Sequence, residues 1–144
     1  MNDPPIELRR GEFVVSTERG RIDPDAALEL LVATHWGPGM DRAVLARAIA
    51  NSISFGLFQG KTLIGFGRVV TDMATYAYWT DVVIADAYRG RGLGQWLSEC
   101  MLEHPELQGL RRVALLTRDA RELYTRLGFV VGPGPLIYME HRTA

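Results

Sequence analysis

Residues 88–101 read "YRGRGLGQWLSECM". Six consecutive positions, Arg89 to Gly94, hold three glycines and two arginines. From Leu93 onward the pattern changes to a helix. Leu93, Trp96, Leu97, Cys100 and Met101 recur at i, i+3, i+4, i+7 and i+8, which gathers them on one stripe. Glycine loses more backbone entropy on folding than any other residue, so Gly90, Gly92 and Gly94 at a helix entrance need a purpose. At such an entrance the first N–H groups lack intrahelical partners and the helix dipole adds partial positive charge. Removing side chains there lets an anion rest directly on the backbone. Arg89 and Arg91 add charge suited to phosphate. The stretch therefore reads as a pyrophosphate cradle, with a merely flexible glycine-rich loop as the plainer alternative. Cys100, on the apolar stripe, reads as a small buried hydrophobe rather than a nucleophile.

Working outward, "DVVIADAYR" before the cradle continues a strand that begins in "ATYAYW". Further upstream, "ISFGLF" and "TLIGFGRVV" flank Gln59-Gly60-Lys61 and predict a hairpin. Before it lie two helices. Asp23 suits the N-cap and Pro24 the first position of the first, which is predicted over "DPDAALELLVATHW" and broken by Gly37-Pro38-Gly39. The second runs from about Asp41, with Val44, Leu45, Ala48 and Ile49 as its apolar stripe. "EFVVSTE" (12–18) predicts a strand ahead of both. Downstream, "RRVALLT" predicts a buried strand and "DARELYTRLGF" a helix, with Asp119 and Glu122 spaced as a capping box and Gly128 as its stop. "FVV" and "LIYME" predict a closing hairpin about Gly132-Pro133-Gly134-Pro135.

The middle strands can pair antiparallel through short turns. The pair that flanks the glycine-entered helix needs a crossover, and so is parallel. The fold class is α/β: a mixed, mostly antiparallel sheet flanked by helices.

At 144 residues the chain reads as one domain over 1–144, with 1–6 a flexible end. Its 47% hydrophobic and 23% charged residues are those of a globular protein. A net charge of -1 argues against a general nucleic-acid binder. One cysteine leaves no internal disulfide and suits a reducing, cytoplasmic setting. No apolar run approaches the ~20 residues of a membrane span, and no membrane partner is expected.

Two nucleotide motifs fail. A P-loop needs a glycine five residues before Gly60-Lys61-Thr62, where Phe55 stands. A dinucleotide fingerprint starting at Gly90 needs glycine at position 95, where Gln95 stands, and it belongs to an early βαβ unit. A third pattern fits. Arg89-Gly90-Arg91-Gly92-Leu93-Gly94 matches [R/Q]-x-x-G-x-[G/A] between a strand and an apolar helix, and "LYTRLGF" follows one strand later. In these residues, and in element order over roughly 55–129, the chain resembles the GCN5-related N-acetyltransferase (GNAT) superfamily.

The resemblance implies acetyl-CoA as cosubstrate, an amine acceptor and no metal ion. It implies that the loop Arg89, Gly90, Arg91, Gly92, Leu93 and Gly94 receives the CoA pyrophosphate. It places the pantetheine arm along Val82, Val83 and Ile84, with an N–H near Val83 or Ile84 polarising the thioester carbonyl. Tyr124 falls at the position of a general acid, and His35 and Trp36 over the acceptor side. Where many members carry an asparagine after the later strand, this chain offers Thr117 and Asp119.

The chemistry adds its own demands. An attacking amine must be neutral, although a lysine-like amine titrates near ~10.4, so a base helps. The departing thiolate benefits from an acid. Asp81, a carboxylate inside an apolar strand, is a candidate base or acceptor ligand; a structural hydrogen bond is the alternative. Tyr124 shares a stripe with Ala120, Leu123 and Leu127, so it is either the acid or a packing residue. His35 also reads as a helix-end cation, Asp72 as a turn residue, and Arg118 and Arg121 as solvated charges. Three functions compete: an acetyl-CoA-dependent N-acetyltransferase for a small-molecule or peptide amine, a CoA-binding module without turnover, and an unrelated interaction domain. Oligomeric state is left open, a homodimer included.

Overall fold

The computed structural model describes residues 4–34, 39–132 and 134–142. Its frame is a six-stranded sheet in sequential order: β1 (Glu7–Arg10), β2 (Phe13–Ser16), β3 (Ile53–Gln59), β4 (Thr62–Thr71), β5 (Tyr76–Ile84) and β6 (Arg112–Leu115). Every neighbouring pair is antiparallel except β5–β6, which is parallel as the crossover requires. The connection between β5 and β6 holds α3 (Leu93–Leu102). The other helices are α1 (Pro24–Val32), α2 (Arg42–Ala50) and α4 (Arg121–Arg126).

Both early helices start where the sequence signals. The Asp23 carboxylate accepts from the Asp25 N–H at 2.9 Å, and the Asp41 carboxylate from the Ala43 N–H at 2.8 Å. Each helix buries one stripe on the same sheet face. Leu31, Leu45 and Ile49 pack there with Phe58, Phe66 and Val83. On the opposite face, Leu93, Trp96, Leu97, Cys100 and Met101 of α3 pack with Phe55, Leu57, Ile64 and Trp79. Each fully buried Leu or Phe contributes roughly 1.5–3 kcal/mol, which is what fixes α3 to the sheet. Its close approach depends on Gly67 of β4, where a Cβ would lie 3.0 Å from the Met101 sulfur.

Several expectations need correction. The strand predicted over 12–18 is confined to Phe13–Ser16, and it pairs with β1, whose "ELRR" carries too little apolar pattern to read as a strand. Charged residues are suited to an edge strand, where they discourage pairing with other chains. The flexible end predicted over 1–6 is already tied at Ile6: its N–H donates to Thr17 Oγ1 at 2.9 Å, and its carbonyl accepts from the Thr17 N–H at 3.1 Å. Val44 faces solvent rather than the core. The capping box at Asp119 does not form. α4 starts later, its N-cap Ala120 has no side-chain cap, and the Ala120 N–H is taken by Thr117 Oγ1 at 3.0 Å. The closing hairpin is also absent: among the described residues, 129–142 hold no strand, and Val130, Ile137 and Met139 are over 80% exposed. An apolar run becomes a strand only where a partner edge is presented to it. Asp72, by contrast, is the turn residue expected. It accepts from the Ala74, Thr75 and Tyr76 N–H groups and from the Thr75 hydroxyl, which together hold its carboxyl well below the usual carboxylate range.

Candidate active site

The site is built on β5. Pairing with β4 advances regularly from Thr71↔Ala77 to Arg68↔Thr80, then slips before Phe66↔Val83: between those pairs one residue on β4 (Gly67) stands against two on β5 (Asp81 and Val82). This is a β-bulge, and Asp81 within it adopts φ +59°, a left-handed conformation that Asp tolerates better than most residues. One inserted residue exchanges the two faces of a strand. Before the bulge, Ala77 and Trp79 point to the α3 side; after it, Val82 and Ile84 do, and Val83 turns to the α1–α2 side.

The bulge also turns Asp81 inward. Its carboxylate is nearly sealed, with 5% of the side chain exposed, and it takes a 2.8 Å charged hydrogen bond from Arg68 Nε. Arg68 in turn reaches Ser52 Oγ at 3.4 Å. The structural hydrogen bond weighed for Asp81 is thus present. Its partner was detectable in principle, since Arg68 is the one charge in the apolar run of β4. A buried ion left without its partner typically costs about 3–5 kcal/mol. Arg68→Met is therefore expected to lower stability by about that much, and adding Asp81→Asn to recover much of the loss. Urea unfolding of the parent, Arg68→Met and the double variant measures this; Arg68→Met within about 0.5 kcal/mol of the parent would refute it.

Beyond Trp79 the sheet opens. β6 pairs with β5 only from Tyr76 to Trp79, so Thr80–Ile84 runs on with β4 alone at its side. The opening widens into a cleft of about 1070 Å³ that runs from Trp79 and Tyr124 at its closed end to Gly90–Gly94 at its mouth. At the mouth, Gly90 and Gly92 hold φ +80° and +75°. Gly92 is the N-cap of α3, no side chain caps it, and its carbonyl accepts from the Trp96 N–H at 3.1 Å. A Cβ at either glycine would meet no atom within 4 Å, so the space outside the first turn of α3 is open. These features fit a phosphate group bound by backbone N–H donors.

Of the described residues predicted to act here, all but Arg91 line the cleft: Asp81, Val82, Val83, Ile84, Arg89, Gly90, Gly92, Leu93, Gly94, Thr117 and Tyr124. Arg91 instead lies over the Tyr88 ring at 5.2 Å. Tyr88 braces the loop through its hydroxyl, which donates to Gln59 Oε1, and an edge contact with Phe13. Arg89 bends back, its Nε 3.3 Å from the Ile84 carbonyl and 3.2 Å from Asp86 Oδ1. His35 and Trp36 lie outside the described residues.

Tyr124 is 8% exposed, wedged edge-on against Trp79 and Phe129. Burial pushes its phenol pKa above the ordinary value, so the hydroxyl carries its proton at neutral pH. Cys100 is buried too, and its thiol is pushed up to about 12, chiefly by that burial, which leaves it inert as a nucleophile. Among the described residues, no group of three His, Cys, Asp or Glu side chains could hold a metal ion, and no helix is long and apolar enough to cross a membrane.

The family model of the Acetyltransferase (GNAT) family matches residues 25–129. The chain belongs to that family. A GNAT-family chain from Xanthomonas campestris pv. campestris, xcc2953, superposes with a TM-score of 0.86 at 38% identity, covering 91% of this chain and 93% of that one. FG08082 from Gibberella zeae, which its name assigns to the acetyltransferases, is 32% identical, with 83% of this chain and 80% of that protein covered. A mycothiol acetyltransferase from Corynebacterium efficiens is 34% identical over 74% of this chain, but that match spans only 40% of its own length. The six-stranded mixed sheet with flanking helices is the GNAT fold.

Proposed function

We propose that this GNAT protein transfers the acetyl group of acetyl-CoA to a primary amine of a small molecule or peptide by direct attack. One observation carries the reading: an unpaired β5 edge, Thr80–Ile84, leads directly to a glycine-lined helix N-terminus. When bound, acetyl-CoA supplies an activated thioester carbonyl. The chain's own residues do the rest. The backbone at Gly90, Gly92, Leu93 and Gly94 receives the pyrophosphate, and Arg89 and Arg91 add positive charge. Val82, Val83 and Ile84 offer strand-like hydrogen bonds to the pantetheine arm, and an N–H near Val83 or Ile84 stabilises negative charge on the carbonyl oxygen. Thr117 faces the same ligand from the far wall. Tyr124 Oη holds a proton for the departing sulfur. Asp81, its orientation fixed by Arg68, serves the amine as base or anchor. No covalent enzyme intermediate is needed, and a reducing, cytoplasmic setting suits the single buried thiol.

The decisive experiment incubates the protein with acetyl-CoA and a panel of primary amines and follows release of the free CoA thiol. Saturable, amine-dependent release supports the reading. CoA binding without release from any amine would leave a binding module instead. A simpler measurement comes first. CoA binds only the folded state, so it is expected to raise the melting temperature with concentration, adding ~2.7 kcal/mol at 100 times its dissociation constant. No shift at millimolar CoA would overturn the proposal.

A further inference from the structure

Most of the large hydrophobic side chains that the described residues leave exposed lie in one stretch, the tail after α4. Val130, Val131, Leu136, Ile137, Tyr138 and Met139 are each 63–85% exposed. Side chains of this kind carry roughly 60–120 Å² of apolar surface, so the six expose on the order of 400 Å². A patch of that size on a soluble protein is often an interaction site. The tail also has the pattern of a strand. When extended, Ile137 and Met139 fall on one side of it and Leu136 and Tyr138 on the other. Pro133 and Pro135 cannot donate to a ladder, so pairing can begin only at Leu136. Among the described residues, the tail's backbone makes no hydrogen bond to the sheet; the last such bond in the chain runs from the Phe129 N–H to the Tyr124 carbonyl at 3.0 Å.

The sheet ends in a matching edge. β6 is the terminal strand and pairs with β5 alone. Beyond Arg112 it is Val113, Ala114 and Leu115, followed by Leu116 at 58% exposed, with no lysine or proline to blunt it. The chain thus holds both halves of a strand pair, and two copies can join them reciprocally in a closed two-fold dimer. Charge agrees. An antiparallel register that sets Leu136 opposite Leu116 and Tyr138 opposite Ala114 brings Glu140 to Arg112. Area agrees as well. Two tails bring roughly 800 Å² of apolar surface, and about two thirds of a homodimer interface is apolar. The total is then near 1,200 Å², enough for a specific dimer. We infer that residues 136–140 add as a strand to β6 of a second copy, so that the protein is a strand-exchanged dimer in solution.

Sedimentation velocity at rising micromolar concentrations is expected to give the mass of two chains. Ile137 is 82% exposed, so Ile137→Lys disturbs no packing within one chain but sets a charge in the joint. It is expected to weaken dimerisation at least about a hundredfold, because in a two-fold dimer each substitution acts twice. Disulfide trapping separates pairing between copies from a tail that folds onto its own sheet. Cys100 is buried and its thiol inert, so introduced cysteines report alone. Ala114→Cys and Tyr138→Cys proteins, mixed and then oxidised, are expected to form a covalent heterodimer, since facing Cβ atoms lie about 4.5–5.5 Å apart in such a pair. Three results would each overturn the inference: a monomer at every concentration, a dimer unaffected by Ile137→Lys, or a disulfide that closes within one chain when both cysteines are on it.

Discussion

Gly92→Val is expected to reduce the affinity for free CoA by about a hundredfold or more while the protein still melts cooperatively. The position separates binding from folding. A Cβ at Gly92 touches no protein atom within 4 Å, so the side chain collides with nothing in the fold. Its cost to the fold is the left-handed backbone at φ +75°, roughly 1–2 kcal/mol for an ordinary L-residue. Against a typical stability of about 5–15 kcal/mol that is tolerable. The branched side chain enters the open space over the first N–H groups of α3. Hydrogen bonds to a charged group contribute about 1.5–3 kcal/mol each, so losing two of them gives the predicted loss. Gly92→Ala should fall between. Calorimetric titration gives the affinities and a melting curve controls for folding. Unaltered CoA affinity in a folded Gly92→Val protein would remove the pyrophosphate cradle from this loop.

Tyr124→Phe is expected to lower kcat by ~10²–10⁴, the range for a lost general acid, with acetyl-CoA binding retained. The substitution deletes one oxygen and keeps the ring that packs on Trp79 and Phe129. The loss should shrink with a donor whose leaving thiol is less basic, because such a thiol gains less from protonation. A Tyr124 that only packs predicts a small kinetic change and a lower melting temperature instead. The kinetic ratio and the melting curve, taken on one preparation, separate the two. Near-normal turnover in a folded variant would leave the leaving thiolate to be protonated by solvent.

Much of this architecture is legible in local pattern. Asp23 and Asp41 each place a capping carboxylate, Gly60-Lys61 closes a two-residue hairpin, and the stripe from Leu93 to Met101 gives α3 and its buried face. The cradle is legible because its chemistry is backbone chemistry, and glycines mark it. What escapes is what depends on register. The bulge at Asp81 is a mismatch between two strands, two residues against one, and neither strand records it alone. The pairing of Arg68 with Asp81 follows from that register. β1 escapes because charged edge residues carry little periodic signal, and the capping box at Asp119 does not form because α4 begins one residue later, with Ala120 as its N-cap. Trp79 draws no attention as one aromatic among several in "ATYAYWTDVVI"; its place at the parting of β5 and β6 is visible only in three dimensions.

The Thr80–Ile84 edge also bears on how the molecule behaves in a crowded solution. A strand with a free row of N–H and C=O groups ordinarily templates the addition of other chains, and proteins blunt such edges with charge, proline or a covering element. None of those devices stands on this stretch: apart from Asp81, which is turned inward to Arg68, it is threonine, valine and isoleucine. Its protection is recess. The edge lies along the floor of a cleft, between the loop at Gly90–Gly94 and the wall formed by Leu116–Ala120 and Tyr124. A neighbouring copy would have to bring a whole sheet, some 10 Å thick with its side chains, into that slot. A single extended chain needs far less width. The slot thus acts as a filter by girth, open to a slender flexible molecule and closed to the strand-by-strand growth that leads to fibrils.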